Sequence, residues 1–231
     1  MHTIKLLDHG YVGLFEHMGS DLSIVRNARV SYAAEWRTGE DEGKDSKLIK
    51  YLIEHSHTSP LEAVTFTFDI KCPIFVARQW HRHRTWSFNE VSARYAQLPA
   101  EYYVPDTEHI TTQSKSSKQA RTQEQHHAAE AWRATMAGHC RTAFDLYEAA
   151  LRDGVPRELA RAVLPMSTYT HFFGTVNLLN LIKFIRLRVH PHAQWEIQQY
   201  ARAIIELITP VVPVTMEHYA TRIEDWKSGV D

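Results

Sequence analysis

The chain has 231 residues, 44% of them hydrophobic and 23% charged, with a formal net charge of −1. That length can bury a full core in one large domain, and the balanced charge offers no global field to attract nucleic acid or an anionic membrane surface. Two cysteines, Cys72 and Cys140, exclude a disulfide framework and a Cys-x-x-Cys metal knuckle.

The segments TIKLLD and YVGLFEH predict two short strands turning at His9-Gly10. The first residues lack a long apolar h-region, and no run approaches a membrane span. The expectation is therefore a cytoplasmic protein with neither a membrane nor a nucleic acid as partner. Asp21 predicts a helix cap, with Leu22, Val25 and Ala28 on the apolar face that follows toward Tyr32. AEWRTGEDEGKDS reads as a polar loop. Ser46 then starts a helix striped by Leu48, Ile49, Leu52 and Ile53, which stops near His55 before the loop HSHTSPLE.

AVTFTFDIKC is the clearest strand, because Val64, Phe66, Phe68 and Ile70 alternate with Thr65, Thr67, Asp69 and Lys71. Pro73 suits the first position of a helix that continues through IFVARQWHRHR. Residues 106–125 are polar and poor in apolar anchors, which predicts a mobile surface excursion. A long helix is expected over 124–152, ended by Gly154, then a short one in PRELARAVLP with Pro156 at its start. STYTHFFGTV reads as a strand and NLLNLIKFIRLR as a helix capped by Asn177. HAQWEIQQYARAIIELIT reads as a further helix, ended by Pro210. The strands are mostly not separated by single crossover helices. The reading is a mixed α/β (α+β) fold with a largely antiparallel sheet flanked by helices, one domain over residues 1–231 and not a Rossmann fold.

The chemistry concentrates in RHRTWSFNEVSARY, Arg82 to Tyr95. Arg82, Arg84 and Arg94 lie in it, and Arg161 and Arg188 lie near later helix ends. Guanidinium forks bind phosphate in bidentate fashion at any working pH, and Trp80, Trp86 and Tyr95 can stack on planar rings. Together they suggest a nucleotide-sized anion with an aromatic base. Three His-x-His pairs (His55/His57, His81/His83 and His190/His192) open a second reading, a metal-dependent hydrolase. They fall on expected helix ends and loops, and no Cys joins them. A third reading is a non-catalytic module for single-stranded RNA or nucleotides. Neither cysteine has an activating base beside it, and no GxGxxG or P-loop is present.

The run Arg82-His83-Arg84, seven residues, then Ser92 resembles the signature of the flavin-dependent thymidylate synthases. ARVSY (28–32), HSHTSPLE (55–62), FVARQW (75–80), GVPRELARAVLP (154–165) and HAQWEIQQYA (192–201) are similar to further family segments. The likeness runs from about residue 3 to about 215, broken at 106–125. It implies a homotetramer with active sites shared between subunits, and FAD as cofactor. The implied reaction methylates dUMP to dTMP. Methylenetetrahydrofolate is the carbon donor, the flavin hydride is supplied by NADPH, and tetrahydrofolate is released. No protein cysteine acts as nucleophile.

The same resemblance assigns roles. Ser59, Arg82, His83, Arg84, Glu90, Asn177, Leu178, Leu179 and Lys183 match flavin-binding positions. Gln79, Trp80, His81, Arg82, Glu90, Val91, Ser92, Ala93, Arg94, Arg161 and Arg188 match the dUMP pocket, with Arg188 as the catalytic arginine facing the uracil. His57 and Tyr95 match positions near folate and nucleotide. The chain departs from the family at Lys183, where an Asn is expected, and at Trp86, larger than expected and placed to reshape the flavin edge. It also has Ser59 for Thr, which keeps the hydroxyl.

Overall fold

The alternation in residues 64–72 builds the centre of the molecule. The computed structural model describes residues 2–230. In it β3 (Thr65–Pro73) buries Phe66, Phe68 and Ile70 completely and leaves Thr65, Thr67, Asp69 and Lys71 partly exposed on the other face. β3 pairs antiparallel with β2 (Gly10–Met18) on one side and β7 (Tyr169–Asn177) on the other. β1 (Thr3–Leu6) and β4 (Ser87–Glu90) complete a five-stranded sheet of order β1-β2-β3-β7-β4, antiparallel throughout. Helices α3 (Ile74–Trp80), α6 (Leu178–Val189) and α7 (Trp195–Ile208) pack on its buried face.

α7 shows why. Ile197, Tyr200, Ala201, Ile204, Leu207 and Ile208 recur at helical spacing and are all buried. Each large apolar side chain among them contributes about 1.5–3 kcal/mol on burial. Trp80 stacks on Phe184 of α6, with ring centroids 4.9 Å apart, and Trp86 meets Trp80 edge-on at 5.6 Å. Trp86 lies over Gly174 of β7, where an added Cβ would come 3.1 Å from its Cε3. The rings of Trp80 and Trp86, expected as stacking surfaces, are therefore sealed in the core at 0% and 5% exposure. Trp86 fills the space over a glycine of the neighbouring strand.

Several boundaries differ from the sequence expectation. The cap of α1 (Asp21–Arg29) is Ser20. Asp21 instead turns its carboxylate to the start of α8 (Pro213–Ser228). It accepts the Val214 N–H at 2.8 Å, the Thr215 N–H at 3.1 Å and the Thr215 hydroxyl at 2.5 Å. α2 (Glu42–Glu54) begins before Ser46, because Asp41 accepts the Lys44 N–H at 3.1 Å and caps it. Pro73 is the N-cap of α3, with extended ψ of 146°, and is not its first helical residue. α4 (Ala129–Arg152) starts at Ala129, and α5 (Arg157–Ala160) is a single turn packed on it around Phe144 and Tyr147. α8 was not anticipated. It buries Met216, Tyr219, Ile223 and Trp226 against the main core.

Residues 106–125, expected as a mobile surface excursion, include a regular hairpin. β5 (Thr111–Gln113) and β6 (Arg121–Gln125) form an antiparallel hairpin, with the Thr112 and Thr122 hydroxyls 2.6 Å apart. Polar contacts anchor it to α7. The Arg121 guanidinium lies 3.4 Å from the buried Glu196 carboxylate, and the His109 ring lies on Trp195 with centroids 3.7 Å apart. Among the described residues, no helix is long and apolar enough to cross a membrane.

Candidate active site

β3 delivers the chain into α3, and α3 ends at Trp80, so the Arg82-His83-Arg84 run occupies the turn beyond a rigid helix. The turn is held by its own backbone, since the His83 N–H reaches the Trp80 carbonyl at 2.9 Å and the Trp86 N–H reaches the His83 carbonyl at 3.2 Å. The last turn of α6 comes down beside it. Arg188 donates Nε–H to His83 Nε2 at 3.0 Å and Nη2–H to the Gln79 carbonyl at 3.0 Å. Nη1 finds no acceptor among the described residues. Burial first, then the Arg188 charge, push the His83 imidazole down to about 4, so at neutral pH it is an uncharged acceptor. Burial also lowers the Arg188 guanidinium, though such a group stays charged at working pH. A cavity of about 420 Å³ opens beside Arg188, lined also by Arg186, His190 and His192.

Arg82 and Arg84 are exposed and have no ion-pair or hydrogen-bond partner among the described residues. The segment after them is β4, whose end is tied to β7 by the Thr170 hydroxyl donating to Glu90 at 2.5 Å and the Val91 N–H donating to the His171 carbonyl at 2.9 Å. Ser92 Oγ accepts the Arg94 N–H at 3.3 Å, and Arg94 reaches Glu158 of α5 at 3.4 Å. Arg161 follows α5 on a short 3-10 turn, exposed and without an acidic partner among the described residues. Val91, Arg94 and Tyr95 are exposed, Ala93 is buried, and His81 is partly buried.

A third group forms where α6 begins. Asn177 caps it by accepting the Asn180 N–H at 3.0 Å, and the Leu178 N–H reaches the Val64 carbonyl at 2.8 Å. That bond brings the helix start against the 3-10 turn Ser59–Ala63, which carries the exposed Ser59 just after the exposed His57. Leu178 is fully buried, with its N–H taken by Val64. The Leu179 N–H, in the first helical turn, finds no acceptor among the described residues. Lys183 is exposed, with Nζ 3.3 Å from Asn180 Oδ1.

The predicted site residues thus fall into three groups within one chain: Arg188 with His83 and Gln79, Glu90 to Arg94 with Arg161, and Ser59 with Asn177 to Leu179. No hydrogen bond or ion pair among the described residues joins Arg161 or Ser59 to Arg188. Sequence reasoning passed over Gln194, whose Oε1 receives the Gln79 amide at 2.5 Å, and Thr170, which fixes Glu90. Gln194 lies within HAQWEIQQYA, a segment already singled out. The His190/His192 pair was noted for metals, yet it lines the Arg188 cavity. Among the described residues, no cluster of three or more His, Cys, Asp or Glu is placed to hold a metal ion. Cys72 is fully buried, and burial, reinforced by the Glu90 charge, raises its thiol well above the ordinary value.

A family model described as thymidylate synthase complementing protein matches residues 13–214. A flavin-dependent thymidylate synthase of Thermus thermophilus is 48% identical over 212 residues, covering 92% of this chain and 76% of that one. The corresponding protein of Thermotoga neapolitana is 44% identical over 216 residues, covering 94% and 93%. The chain belongs to the flavin-dependent thymidylate synthase family. A solved structure of the UMP/dUMP methylase PolB from Streptomyces cacaoi, bound with 5-Br dUMP, superposes with a TM-score of 0.84. It is 35% identical and covers 94% of this chain and 97% of that one.

The residues present fit the flavin of a flavin-dependent thymidylate synthase. Arg82 and Arg84 are unpaired forks of the type that holds a pyrophosphate, and the open Leu179 N–H sits at a helix N-terminus, where backbone donors and the helix dipole favour an acceptor.

Proposed function

We propose that this protein makes dTMP from dUMP, with methylenetetrahydrofolate as carbon donor and NADPH as reductant, releasing tetrahydrofolate. The observation that carries the reading is Arg188, a partly buried guanidinium held at two of its nitrogens with Nη1 left over, beside a cavity. C5 of uracil is a poor nucleophile. A fixed positive charge at the pyrimidine edge stabilises the N3-deprotonated, electron-rich ring and raises the nucleophilicity of C5. Arg188 acts as that charge and not as a base. His83 and the Gln79 carbonyl hold its plane. Ser92, Arg94 and Arg161 take the nucleotide phosphate, with Gln79, His81, Val91 and Ala93 around the nucleotide. Arg82, His83, Arg84, Glu90, Ser59 and Asn177 to Leu179 hold the flavin, and Lys183 reaches its phosphates. FAD, when bound, supplies the hydride that reduces the transferred carbon.

No cysteine enters this scheme. The depth of Cys72 and its raised thiol support that. The same reading takes the protein as a homotetramer in which different subunits complete one site. One catalytic domain over residues 1–231 and a cytoplasmic location belong to the same reading.

The test is an anaerobic assay of the FAD-loaded protein with dUMP, methylenetetrahydrofolate and NADPH. dTMP formation that needs all three is the expected result. A flavin-loaded protein that makes none would refute the proposal.

A further inference from the structure

A cavity of about 770 Å³ lies between the β5–β6 hairpin and α7. None of the residues assigned above to flavin or dUMP lines it. Gln119 and Arg121 of the hairpin, Trp195 and Arg202 of α7, and Lys227 of α8 all line it. Gln119 and Ala193 line both this cavity and the one at Arg188, so the two adjoin. A ligand with its reactive end at Arg188 can extend into the hairpin chamber.

The lining specifies what that extension carries. Three cations, Arg121, Arg202 and Lys227, face one carboxylate, Glu108. Arg121 is matched by Glu196, and Lys227 by Glu224 on its own helix. Arg202 has no acidic partner among the described residues and contacts only Gln198 Oε1, at 3.5 Å. Five glutamines line the space as well, amides that both donate and accept. Trp195 adds a flat face. An anion linked through amide or sugar groups suits this surface, and an apolar ligand does not.

We propose that the hairpin chamber is a subsite for the anionic tail, carboxylate or phosphate, of a co-substrate whose reactive end lies at Arg188. The proposal rests on the function given above. Two co-substrates carry such a tail: the glutamyl chain of the folate and the 2′-phosphate of NADPH. The hairpin is then a wall of the active site, and Arg202 is its free anion-binding fork.

The experiment uses the FAD-loaded full chain and the double variant Arg202→Gln/Lys227→Gln. Steady-state constants are measured with mono- and triglutamyl methylenetetrahydrofolate, and with NADPH and NADH. Equilibrium binding of triglutamyl tetrahydrofolate and of NADP⁺ is measured alongside. A KM rise of about ten- to a hundredfold for the triglutamyl folate, with kcat and the dUMP KM held, assigns the chamber to the glutamyl tail. The same rise for NADPH but not NADH assigns it to the phosphate. Lys50→Gln/Arg152→Gln, two exposed changes on α2 and α4, controls for net charge and leaves these constants unchanged. Unaltered constants and binding in the double variant overturn the proposal while dTMP synthesis stands. If the unaltered protein makes no dTMP, the functional reading fails by itself. The binding measurements then decide the chamber, supporting it if the variant loses either probe and overturning it if both bind equally.

Discussion

Arg188 donates its Nε–H to His83 Nε2 at 3.0 Å, a bond that exists only while the imidazole is neutral. It fixes the His83 proton on Nδ1 and holds the guanidinium plane. The middle residue of the Arg-His-Arg run therefore acts on Arg188, whatever else it touches.

A pH dependence follows. Burial and the Arg188 charge hold His83 at about 4 in the folded protein, against 6.5 for the free group. Between those values the unfolded chain binds a proton that the folded chain refuses. Folding stability therefore falls as pH drops from about 6.5 toward about 4, and this contribution levels off below. Gln at position 83 keeps an acceptor for Arg188 without titrating. Urea unfolding from pH 4.5 to 7 should show a shallower slope in His83→Gln. Identical slopes would place the titration elsewhere.

Arg188→Lys keeps a cation but loses both the Nε–H to His83 and the planar fork. Turnover should fall about a hundredfold, the scale of removing one preorganised donor from a developing anion. Stability by urea unfolding should change by about 1 kcal/mol or less. Near-normal kcat in this variant would remove Arg188 from the activating role.

Ser92→Ala separates a phosphate contact from a nucleophile. Ser92 Oγ accepts the Arg94 N–H and has no base beside it. Loss of a hydrogen bond to a charged phosphate should weaken dUMP binding by about 1.5–3 kcal/mol, while turnover survives at saturating dUMP. Normal binding with no product at all would contradict this.

Gly174→Ala tests the packing under the motif. Its Cβ would press on the Trp86 ring at 3.1–3.2 Å, with Ile70 Cδ1 at 3.4 Å behind it. The expected cost is about 1–3 kcal/mol in unfolding free energy. Pairing it with Trp86→Leu should cost less than the sum of the two single changes, because they share one space. Strict additivity would show that the ring moves away freely.

The parts of the fold legible in the sequence are those with one dominant period. β3, β7, α6 and α7 each carry an apolar alternation or stripe that the core uses directly. β4 carries none. Ser87 to Glu90 is short and mostly exposed, and it is a strand because β7 offers an unpaired edge there, with Gly174 making room for Trp86. The hairpin is invisible for a related reason, since it is held by threonine hydroxyls and an Arg–Glu contact and not by apolar residues. α8 did leave a trace, with Met216, Tyr219, Ile223 and Trp226 at helical spacing, hidden behind Pro210 and Pro213. The motif residues of the site were legible through their resemblance to a family. The His83–Arg188 bond was not, because 105 residues of sequence separate its ends.

The carboxylate of Asp21 meets its hydroxyl and amide partners on Thr215, 194 residues later. A ribosome adding about 5–20 residues per second needs on the order of 10–40 s to cover that distance. For all that time a nascent chain carries the first helix with its acidic residue still hydrated and the site it will cap not yet made. The sheet can pair while synthesis continues, because β7 is complete by Asn177. The seam between α1 and α8 closes after the sheet, once residues 213–228 have been made, and is open to disruption by a translation product that stalls before them.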